Sequence, residues 1–395
     1  MSTPFDFDAV IDRSGTGSEK WDKYQGRDII PLWVADMDFR SPPAVIEALH
    51  RRIEHGVFGY SQPSPGLLEA VKEHLDRDFG WQVQPKWLVW LPGLVCGLNV
   101  LCRAVGETGD EVVTFTPIYP PFISAPFLSQ RSTVKVPLKL ERGNWVADLE
   151  ALENAITPRT KLLLLCSPHN PVGRVWNRDE LRQFADVAER HDLIIGSDDI
   201  HAGLILDEKT RHLPIATLSP ETARRTITLL APSKTYNIPG LGCSFAVISD
   251  PELRTRFIKA AGRIVPHVNL LGYTATEAAY RNGEEWRQAL LAYLRVNRDL
   301  VKAEIGNIPG LATTHVEATY LAWINTRGAR IEKPGSFFEQ AGVGLSDGSD
   351  FGAPGFVRLN FGCSRSLLVE ALTRMRRAVE NISRDNASPS YPASS

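Results

Sequence analysis

Five strand-sized apolar segments in the middle of the chain constrain its fold more than any other feature. They span residues 110–117 (DEVVTFTP), 160–168 (TKLLLLCSP), 192–200 (DLIIGSDDI), 226–233 (TITLLAPS) and 243–249 (CSFAVIS). Uninterrupted apolar runs of this length are typical of strands that are buried on both faces of a sheet. We therefore expect a central sheet whose strands are covered on both sides.

A helical segment separates the second of these runs from the third. In NRDELRQFADVAERH (177–191), apolar side chains recur at helical spacing at Leu181, Phe184, Ala185 and Ala188, with charged residues elsewhere. Strands that are separated by such helices predict βαβ units and a mostly parallel sheet. The chain is therefore predicted to belong to the α/β class.

The length of the chain and a change of pattern near residue 280 predict two domains. A chain of 395 residues is too long for one small core. Residues 46–280 carry the alternating pattern and are expected to form a large domain. Residues 281–383 begin with a long helical stretch and continue with strand-like ATYLAWINT and GFVRLNFG, which predicts a smaller α+β domain. The polar, Pro/Ser-rich residues 384–395 are predicted to be a disordered tail.

The composition is that of an ordinary globular protein and excludes several classes of function. The formal net charge is −2 with 23% charged residues, and no strongly basic stretch stands out, so we expect no binding to nucleic acid. No apolar run has the length of a membrane span, and the N-terminus is polar and acidic, which is unlike a signal peptide. We expect a cytoplasmic protein that does not bind membranes.

The residue types that form disulfides and metal sites are scattered. The five cysteines occur without CxxC spacing, and the nine histidines include no HExxH motif. An odd, unclustered set of cysteines is typical of a reduced cytosolic protein. We therefore expect neither a disulfide framework nor a metal site.

Polar residues follow the carboxyl ends of four of the predicted strands. These strands run into TPIYPPF with Tyr119, SPHNPVG with Asn170, SDDIH with Asp198 and His201, and PSK with Lys234. In open α/β sheets, ligands bind in the crevice beyond the carboxyl ends of the strands. We expect these residues to face one common site.

Lys234 is the most unusual of these residues, because it lies alone in the almost uncharged stretch LLAPSKTYNIPGLGCSF (229–245). A buried ammonium is costly unless it is paired, its pKa falls, or its amine is used covalently in a Schiff base. Taken alone, Lys234 is also compatible with a structural lysine that reaches the surface, Asp198 with a helix N-cap, and Tyr119 with packing in a rigid turn. The neighbouring strand ends therefore have to be considered together.

A Schiff-base lysine needs an electron sink, and the other strand ends match the needs of pyridoxal phosphate. A carboxylate such as Asp198 keeps the ring nitrogen of this cofactor protonated. Asn170 offers a donor to the phenolic oxygen, and Tyr119 offers an aromatic ring for stacking. The combination predicts a pyridoxal phosphate site in which Lys234 is the covalent anchor.

The phosphate of such a cofactor would need an anion site of its own. In LPGLVCGLNVLCRAV (91–105), a Pro-Gly breaker that ends at Gly93 opens a helical pattern, and the N–H groups of a first helical turn suit an anion. Most helix starts of this kind hold no ligand, so this element is weak on its own. The glycines of GTGSEK and GVGLSDG do not follow the strand-then-helix layout of a phosphate-binding loop and are interpreted as ordinary loops.

Six ordered segments resemble one family of enzymes. They are PLWVADMDF, TPIYPPF, SPHNPVGRVW, SDDIH, APSKTYNIPGL and RLNFGCSRSLL, and the resemblance extends from about residue 12 to about residue 378. The segments resemble fold-type I pyridoxal phosphate enzymes of the class I/II aminotransferase superfamily, and within it the MalY/PatB-like cystathionine β-lyases. The resemblance implies a PLP-dependent transferase (aspartate aminotransferase-like) fold and a pyridoxal 5'-phosphate cofactor.

The same resemblance implies roles around the cofactor ring. Lys234 forms the Schiff base, Asp198 is the partner of the ring nitrogen, and Tyr119 stacks on the ring. Asn170 and His201 lie near the phenolic oxygen. Lys234, Asp198 and Tyr119 are thereby expected to take part in catalysis.

The resemblance further implies how the phosphate, the substrate and a second subunit are bound. The phosphate contacts the helix start at Gly93, Leu94 and Val95, together with Ser233. Arg358 binds the α-carboxylate of an amino-acid substrate in a bidentate pair, with Asn170 and Tyr119 as further substrate contacts. Tyr60 reaches the phosphate of the neighbouring subunit in a homodimer with active sites at its interface. Residues 1–45 form an N-terminal arm that contributes to the small domain and the dimer.

Three positions depart from the pattern of the family. Asp199 stands where the family usually has glutamate, and we expect a local effect only. Aminotransferases commonly carry a serine three residues before the lysine and an arginine eight residues after it, where this chain has Ala231 and Gly242. The absence of this arginine matches the lyase branch and favours a lyase over a transaminase.

The residues and the resemblance together predict a carbon–sulfur β-lyase that acts on L-cystathionine or a related cysteine S-conjugate. An aminotransferase that uses the same residues is the alternative. A regulatory protein that retains the fold is a third reading, which the intact set of Lys234, Asp198 and Arg358 disfavours. The acids of WVADMDF (33–39) either line the substrate entrance or shape the N-terminal arm, and the sequence does not decide between these two roles.

Overall fold

The computed structural model describes residues 5–387, and the side chains only as far as residue 382. The chain divides into two compact units. The first comprises Phe5, Arg40–Ala292 and Val316–Thr319, and the second comprises Asp6–Phe39, Tyr293–His315 and residues 320–387. The sequence pattern predicts nearby boundaries, at 45 and 280. Of the tail predicted at 384–395, residues 388–395 lie outside the described residues, whereas 384–387 belong to the last helix.

Many of the helices begin with proline, whose missing N–H costs no hydrogen bond at the first helical position. In chain order the helices are α1 (Glu19–Asp22), α2 (Pro43–Glu54), α3 (Pro65–Phe79), α4 (Leu94–Ala104), α5 (Pro121–Leu128), α6 (Leu149–Ala155), α7 (Arg178–Arg190), α8 (Pro220–Arg224), α9 (Pro251–Ala261), α10 (Leu270–Asn282), α11 (Glu284–Gly306), α12 (Pro334–Gln340) and α13 (Arg365–Ala387).

The strands are short, and those of the first unit include all five of the predicted apolar runs. In chain order the strands are β1 (Ile30–Pro31), β2 (Leu88–Leu91), β3 (Glu111–Thr116), β4 (Ser132–Pro137), β5 (Lys139–Glu141), β6 (Asn144–Val146), β7 (Thr160–Cys166), β8 (Ile194–Asp198), β9 (Thr226–Leu230), β10 (Ser244–Val247), β11 (Ala312–Thr313), β12 (Leu321–Asn325), β13 (Val343–Gly344), β14 (Ser346–Asp347) and β15 (Phe356–Asn360).

The first unit is built on a seven-stranded sheet with the order β2-β10-β9-β8-β7-β3-β4. The five strands from β9 to β4 are parallel, whereas β10 is antiparallel to both β9 and β2. Parallel neighbours need a crossover connection, and α7 provides one between β7 and β8. The described stretch between β9 and β10 contains no α-helix, and there the chain reverses direction. The predicted mostly parallel sheet is thus confirmed.

Helix α7 begins where the sequence places it. The side chain of Asn177 accepts hydrogen bonds from the N–H groups of Asp179 and Glu180, and Glu180 accepts one from the N–H of Asn177 at 2.8 Å. This capping box satisfies donors that a helix start otherwise leaves open. The predicted apolar face, with Leu181 and Phe184, is buried.

Helix α4 packs closely against the centre of the sheet. Its Leu98 and Leu101 belong to one buried cluster with Leu164 of β7 and Leu229 of β9. At Gly196 of β8, an added Cβ would lie 2.2 Å from Leu101 Cδ2. Glycine is therefore required for this approach of helix to strand.

The second unit has a small antiparallel sheet with the order β11-β12-β15-β14, and a separate parallel pair of β1 with β13. Its core includes Trp323, whose ring stacks on Phe356 at 5.2 Å and also contacts Phe351. The long helices α11 and α13 accompany this sheet. The combination is that of the smaller α+β domain that the sequence pattern predicts.

Candidate active site

The carboxyl ends of four adjacent parallel strands in the first unit carry the predicted site residues. The ladders align Cys166 of β7 with Asp198 of β8, and Asp198 with Leu229 of β9. Lys234 follows β9 by four residues, and Asn170 follows β7 by four. Because these strands are parallel neighbours, their ends lie at one edge of the sheet.

Asp198 is a buried carboxylate at the end of β8. It is 4% exposed, and its Oδ1 accepts a hydrogen bond from the N–H of Ile200 at 3.1 Å. The pKa of Asp198 is raised to about 7, mainly by burial. The hydrogen bond from Ile200 and the ammonium of Lys234 lower this pKa, and the neighbouring Asp199 raises it. A further cation beside this carboxylate would lower its pKa and favour the ionised form at neutral pH.

Lys234 lies in a turn that follows β9 and is half-buried. The N–H of Tyr236 donates to the carbonyl of Pro232 at 2.9 Å, and the N–H of Ile238 donates to that of Ser233 at 3.0 Å. Ser233 is half-buried as well. These bonds hold the lysine near enough to Asp198 for the two charges to interact.

The turn that carries Lys234 also touches the loop that follows Asp198. A Cβ added at Gly203 would lie 2.5 Å from the hydroxyl oxygen of the buried Thr235. Only glycine permits this contact, which packs the two turns against each other. His201 lies in the same loop, is 2% exposed, and accepts a hydrogen bond from the N–H of Leu204 through its carbonyl.

Asn170 and Tyr119 are joined through the backbone. The N–H of Tyr119 donates to the carbonyl of Asn170 at 3.2 Å, and the N–H of Asn170 donates to Cys166 Sγ at 3.4 Å. Asn170 is 5% exposed, and the ring of Tyr119 is half-buried against the core. The neighbouring His169, which the sequence did not single out, donates from Nε2 to the carbonyl of Pro117 at 2.8 Å.

The start of α4 is open to an anion. Gly93 is its N-cap, and within the described residues no side chain caps the helix. Leu94 is buried and Val95 is 44% exposed. An uncapped first turn presents its N–H groups, and the positive end of the helix dipole favours negative charge there.

Gly242 explains one departure from the family pattern. It has a φ of +55°, which L side chains rarely adopt, and an added Cβ would lie 3.0 Å from the carbonyl oxygen of Pro92. An arginine at this position would be strained. The close approach brings the loop after Lys234 next to the turn that opens α4.

Tyr60 is not brought together with the other residues in the single chain. It lies in the irregular stretch between α2 and α3, and its side chain is fully exposed.

A contact between Asp199 and His212, which the sequence did not reveal, supports the end of β8. Asp199, 1% exposed, accepts a hydrogen bond from Ser197 Oγ at 2.5 Å and pairs with His212 Nε2 at 2.8 Å. The ring of His212 meets Phe79 edge-on at 5.3 Å. The only signal in the sequence was the unusual pair of adjacent acids, since His212 lies in an irregular loop without periodicity.

In the second unit, Arg358 lies on β15 and is 4% exposed. Its Nη2 donates to the carbonyl of Trp33 at 2.8 Å and to Ser346 Oγ at 3.3 Å. Its guanidinium also lies over the ring of Phe351, 4.8 Å from the centroid. These contacts hold the guanidinium in one orientation.

Two further features bear on the class of protein. Over the described residues, no group of three or more His, Cys, Asp and Glu side chains is arranged to hold a metal ion. In the same part of the chain, no helix combines the length and apolar character that crossing a membrane requires.

Known proteins resemble this chain over nearly its whole length. The family described as Aminotransferase class I and II matches residues 27–375. Cystathionine beta-lyase PatB of Bacillus subtilis is 36% identical over 94% of this chain and 99% of that protein. Protein MalY of Escherichia coli is 34% identical over 96% of this chain and 100% of that protein.

Solved structures share the fold. The crystal structure of OvoB is 48% identical and superimposes with a TM-score of 0.93 over 95% of this chain and 99% of that one. Cystalysin from Treponema denticola, whose crystal structure contains pyridoxal 5'-phosphate, is 33% identical with a TM-score of 0.92 over 96% and 99%. The predicted fold and the resemblance to MalY and PatB are confirmed, and the chain belongs to the class I and II aminotransferase family.

Proposed function

We propose that this chain is a pyridoxal-phosphate-dependent carbon–sulfur β-lyase that converts L-cystathionine, or a related cysteine S-conjugate, to a thiol, pyruvate and ammonia. The observation that carries the choice of cofactor is the buried carboxylate of Asp198 beside Lys234 at adjacent strand ends. The choice of reaction is supported by the match to a cystathionine β-lyase over nearly the full length of both chains.

The residues present fit pyridoxal phosphate. Asp198 has a pKa raised by burial in spite of the nearby Lys234, and the protonated ring nitrogen of the cofactor would supply a further cation that favours the ionised carboxylate. Lys234 is half-buried and follows β9 at the same strand edge, so its amine would be the covalent anchor of the cofactor. The uncapped start of α4 offers N–H groups to the phosphate.

Lys234 and Asp198 have different roles in this reaction. Lys234 holds the cofactor covalently and, once the amino acid has displaced it, removes the proton from the substrate Cα as a general base. The bound cofactor supplies an electron sink for the carbanion that results. Asp198 keeps that sink effective by remaining ionised. The thiol leaves from Cβ, and hydrolysis of the remaining three-carbon unit gives pyruvate and ammonia.

The other residues bind and orient. Tyr119 stacks on the ring, and Asn170 and His201 lie beside its phenolic oxygen. Ser233 joins the helix start at 93–95 in binding the phosphate. Arg358 receives the substrate carboxylate, and its buried, immobilised guanidinium supports this role.

The protein acts as a homodimer in the cytoplasm. Full exposure of Tyr60 supports a role for it at the phosphate of a neighbouring subunit. The five free cysteines, four of them buried, support a reducing compartment.

An aminotransferase is the second candidate, and the name of the matching family favours it. In that reaction Lys234 would carry the proton from the substrate Cα to the cofactor, and a keto acid would be needed as the second substrate. The constrained backbone of Gly242, where aminotransferases commonly have arginine, favours the lyase.

The deciding experiment is an assay of purified protein supplied with pyridoxal phosphate and L-cystathionine, with no keto acid. Pyruvate and free thiol are followed together with the visible absorption of the bound cofactor. We expect equal amounts of pyruvate and thiol over many turnovers. Absorption that bleaches once, with turnover resuming only after a keto acid is added, would establish the aminotransferase instead.

A further inference from the structure

The irregular segment 33–38 (WVADMD) of the second unit is held by side chains through its backbone. Four successive carbonyls, from residue 33 to residue 36, accept hydrogen bonds. The donors are Arg358 Nη2 to Trp33 (2.8 Å), Asn360 Nδ2 to Val34 and to Asp36 (2.7 Å each) and Tyr320 OH to Ala35 (2.9 Å). A segment without regular structure thus has its backbone acceptors satisfied by fixed donors.

These donors are rigid because the small sheet carries them. Tyr320 and Asn360 are both fully buried, and Asn360 is paired across the ladder with Leu321, the residue after Tyr320. The amide oxygen of Asn360 accepts from the N–H of Gly362 at 2.8 Å, so both ends of its side chain are bonded. The sheet therefore acts as a template for the 33–38 segment.

The two acids of the segment are bound in a partly buried cluster of charges. Lys20 Nζ lies 2.7 Å from Asp38 Oδ2 and 3.7 Å from Asp36 Oδ1, and it also donates to the carbonyl of Asp36 at 3.2 Å. Arg13 binds both acids, at 2.6 Å and 2.7 Å, and Trp21 Nε1 donates to Asp38 at 2.9 Å. The ion-pair cluster of Arg13, Lys20, Asp36 and Asp38 has two charges of each sign.

The side chain of Lys20 has no exposed surface, and that of Asp38 is 5% exposed. Burying an ammonium is costly without partners, so the cluster holds together as a unit and ties the segment down at its C-terminal end. Of the two roles left open for these acids, the contacts favour shaping the N-terminal arm.

The segment in turn orients Arg358. The carbonyl of Trp33 accepts from Arg358 Nη2 and also from Ser346 Oγ at 2.8 Å, and Ser346 lies opposite Arg358 in the ladder. A guanidinium is planar. The hydrogen bond at Nη2 and the position of Cζ over the ring of Phe351 together fix the plane in which the guanidinium can bind a carboxylate. A shift of Trp33 would turn that plane.

We propose that the ion-pair cluster of Arg13, Lys20, Asp36 and Asp38 is a positioning device for the substrate carboxylate. It fixes the 33–38 segment, and the Trp33 carbonyl then orients Arg358 for bidentate binding. These are positioning residues, since they act through Arg358. The inference rests on the proposed role of Arg358 as the carboxylate clamp.

The test compares two ligands that differ only in the carboxylate. Glycine and methylamine both offer an amine to the cofactor-loaded protein, and neither has a leaving group that could be eliminated. Their binding is followed by the visible absorption of the cofactor. For Lys20→Met we expect the Kd of glycine to rise by about tenfold, the loss of one charged hydrogen bond, with the Kd of methylamine unchanged. Equal changes for both ligands, or none, would overturn the proposal.

A second variant guards against misfolding of the first. Tyr320→Phe keeps the aromatic ring and removes the hydroxyl that donates to the Ala35 carbonyl, and we expect the Kd of glycine to rise by about threefold. Arg27→Met is the matched control, because it breaks the exposed Arg27–Glu339 pair of the same arm and should change neither Kd. An unchanged Kd of glycine in folded Tyr320→Phe would count against the proposal.

Two reference variants separate this inference from the function on which it rests. If Arg358→Ala leaves the ratio of the two Kd values unchanged, the carboxylate clamp itself is wrong. If Arg358→Ala lowers the preference for glycine but Lys20→Met does not, only the positioning role fails. In an Arg358→Lys background, Lys20→Met should add much less than its full effect, because both changes act on one interaction. Full additivity would overturn the proposal.

Discussion

At the scale of single residues, the environment of Asp198 acts on its pKa in two directions. Burial raises the pKa of this carboxyl group, and the nearby ammonium of Lys234 partly offsets the rise. In the cofactor-free protein its pKa is about 7, raised from an ordinary value of 3.8 mainly by burial. Between these two values the folded protein binds a proton that the unfolded chain has released. The free energy of unfolding therefore falls as the pH rises through this window, and the stabilisation is fully present only below the unfolded pKa.

We expect the free energy of unfolding to fall by an amount on the order of a few kcal/mol across this pH window. The substitution Asp198→Asn should abolish this pH dependence, because asparagine does not titrate. Urea unfolding of the cofactor-free protein between about pH 4.5 and 7.5 measures it, with exposed Asp186→Asn as the control that keeps the wild-type slope. The same slope in wild type and Asp198→Asn would contradict the pKa of about 7.

Lys234 leads to a second prediction at this scale. Replacing it by alanine removes both the covalent anchor and the base, and we expect elimination from cystathionine to fall by about 10²–10⁴-fold even with excess pyridoxal phosphate. Lys259→Ala, an exposed lysine of α9, should retain wild-type turnover. Lys234→Ala with the wild-type rate would rule out the mechanism.

At the scale of elements, the apolar runs predicted the strands that carry the site, because a strand buried on both faces leaves a continuous signal. Two other strands of the same sheet, β2 and β4, gave no such continuous apolar signal in the sequence. The edge strand β4 is mostly exposed, and β2 is only four residues long. The antiparallel direction of β10 was equally hidden, since an apolar run records burial and not direction. Whether two strands pair in parallel or antiparallel depends on the path of the chain between them, which the apolar runs do not record.

The contacts that support the site residues could not be predicted from the sequence either. His212 lies thirteen residues from Asp199 in an irregular loop, and the donors of the 33–38 segment lie near the other end of the chain. Neither kind of contact has a period along the chain. The residues at the strand ends were predictable because topology alone brings such ends to one edge.

The Asp199–His212 pair leads to a prediction for the end of β8. Both side chains are almost fully buried. Among the side chains that the structure describes, His212→Leu leaves this buried carboxylate with Ser197 as its one donor. We expect a loss of about 3–5 kcal/mol in the free energy of unfolding, measured with urea. Combining it with Asp199→Asn should cost much less than the sum of the two single changes, and additive losses would refute a coupled pair.

At the scale of the whole molecule, the stretch around Tyr60 is the feature that a single chain leaves unexplained. Val57, Phe58 and Tyr60 are all more than half exposed in consecutive irregular structure between α2 and α3. Grouped exposed apolar residues mark interaction surfaces. In the proposed homodimer this stretch would meet the partner, and Tyr60 would complete the phosphate site there.

Such a shared site can be tested by mixing two defective proteins. Lys234→Ala lacks the anchor but has an intact Tyr60, whereas Tyr60→Ala weakens the phosphate site but has an intact Lys234. After the subunits of the two variants exchange at random, half of the dimers would be mixed, and each mixed dimer would have one site with both native residues. We expect about a quarter of the wild-type activity beyond that of the unmixed variants. If each site is built from one chain only, mixing restores nothing, because no chain in the mixture carries both residues.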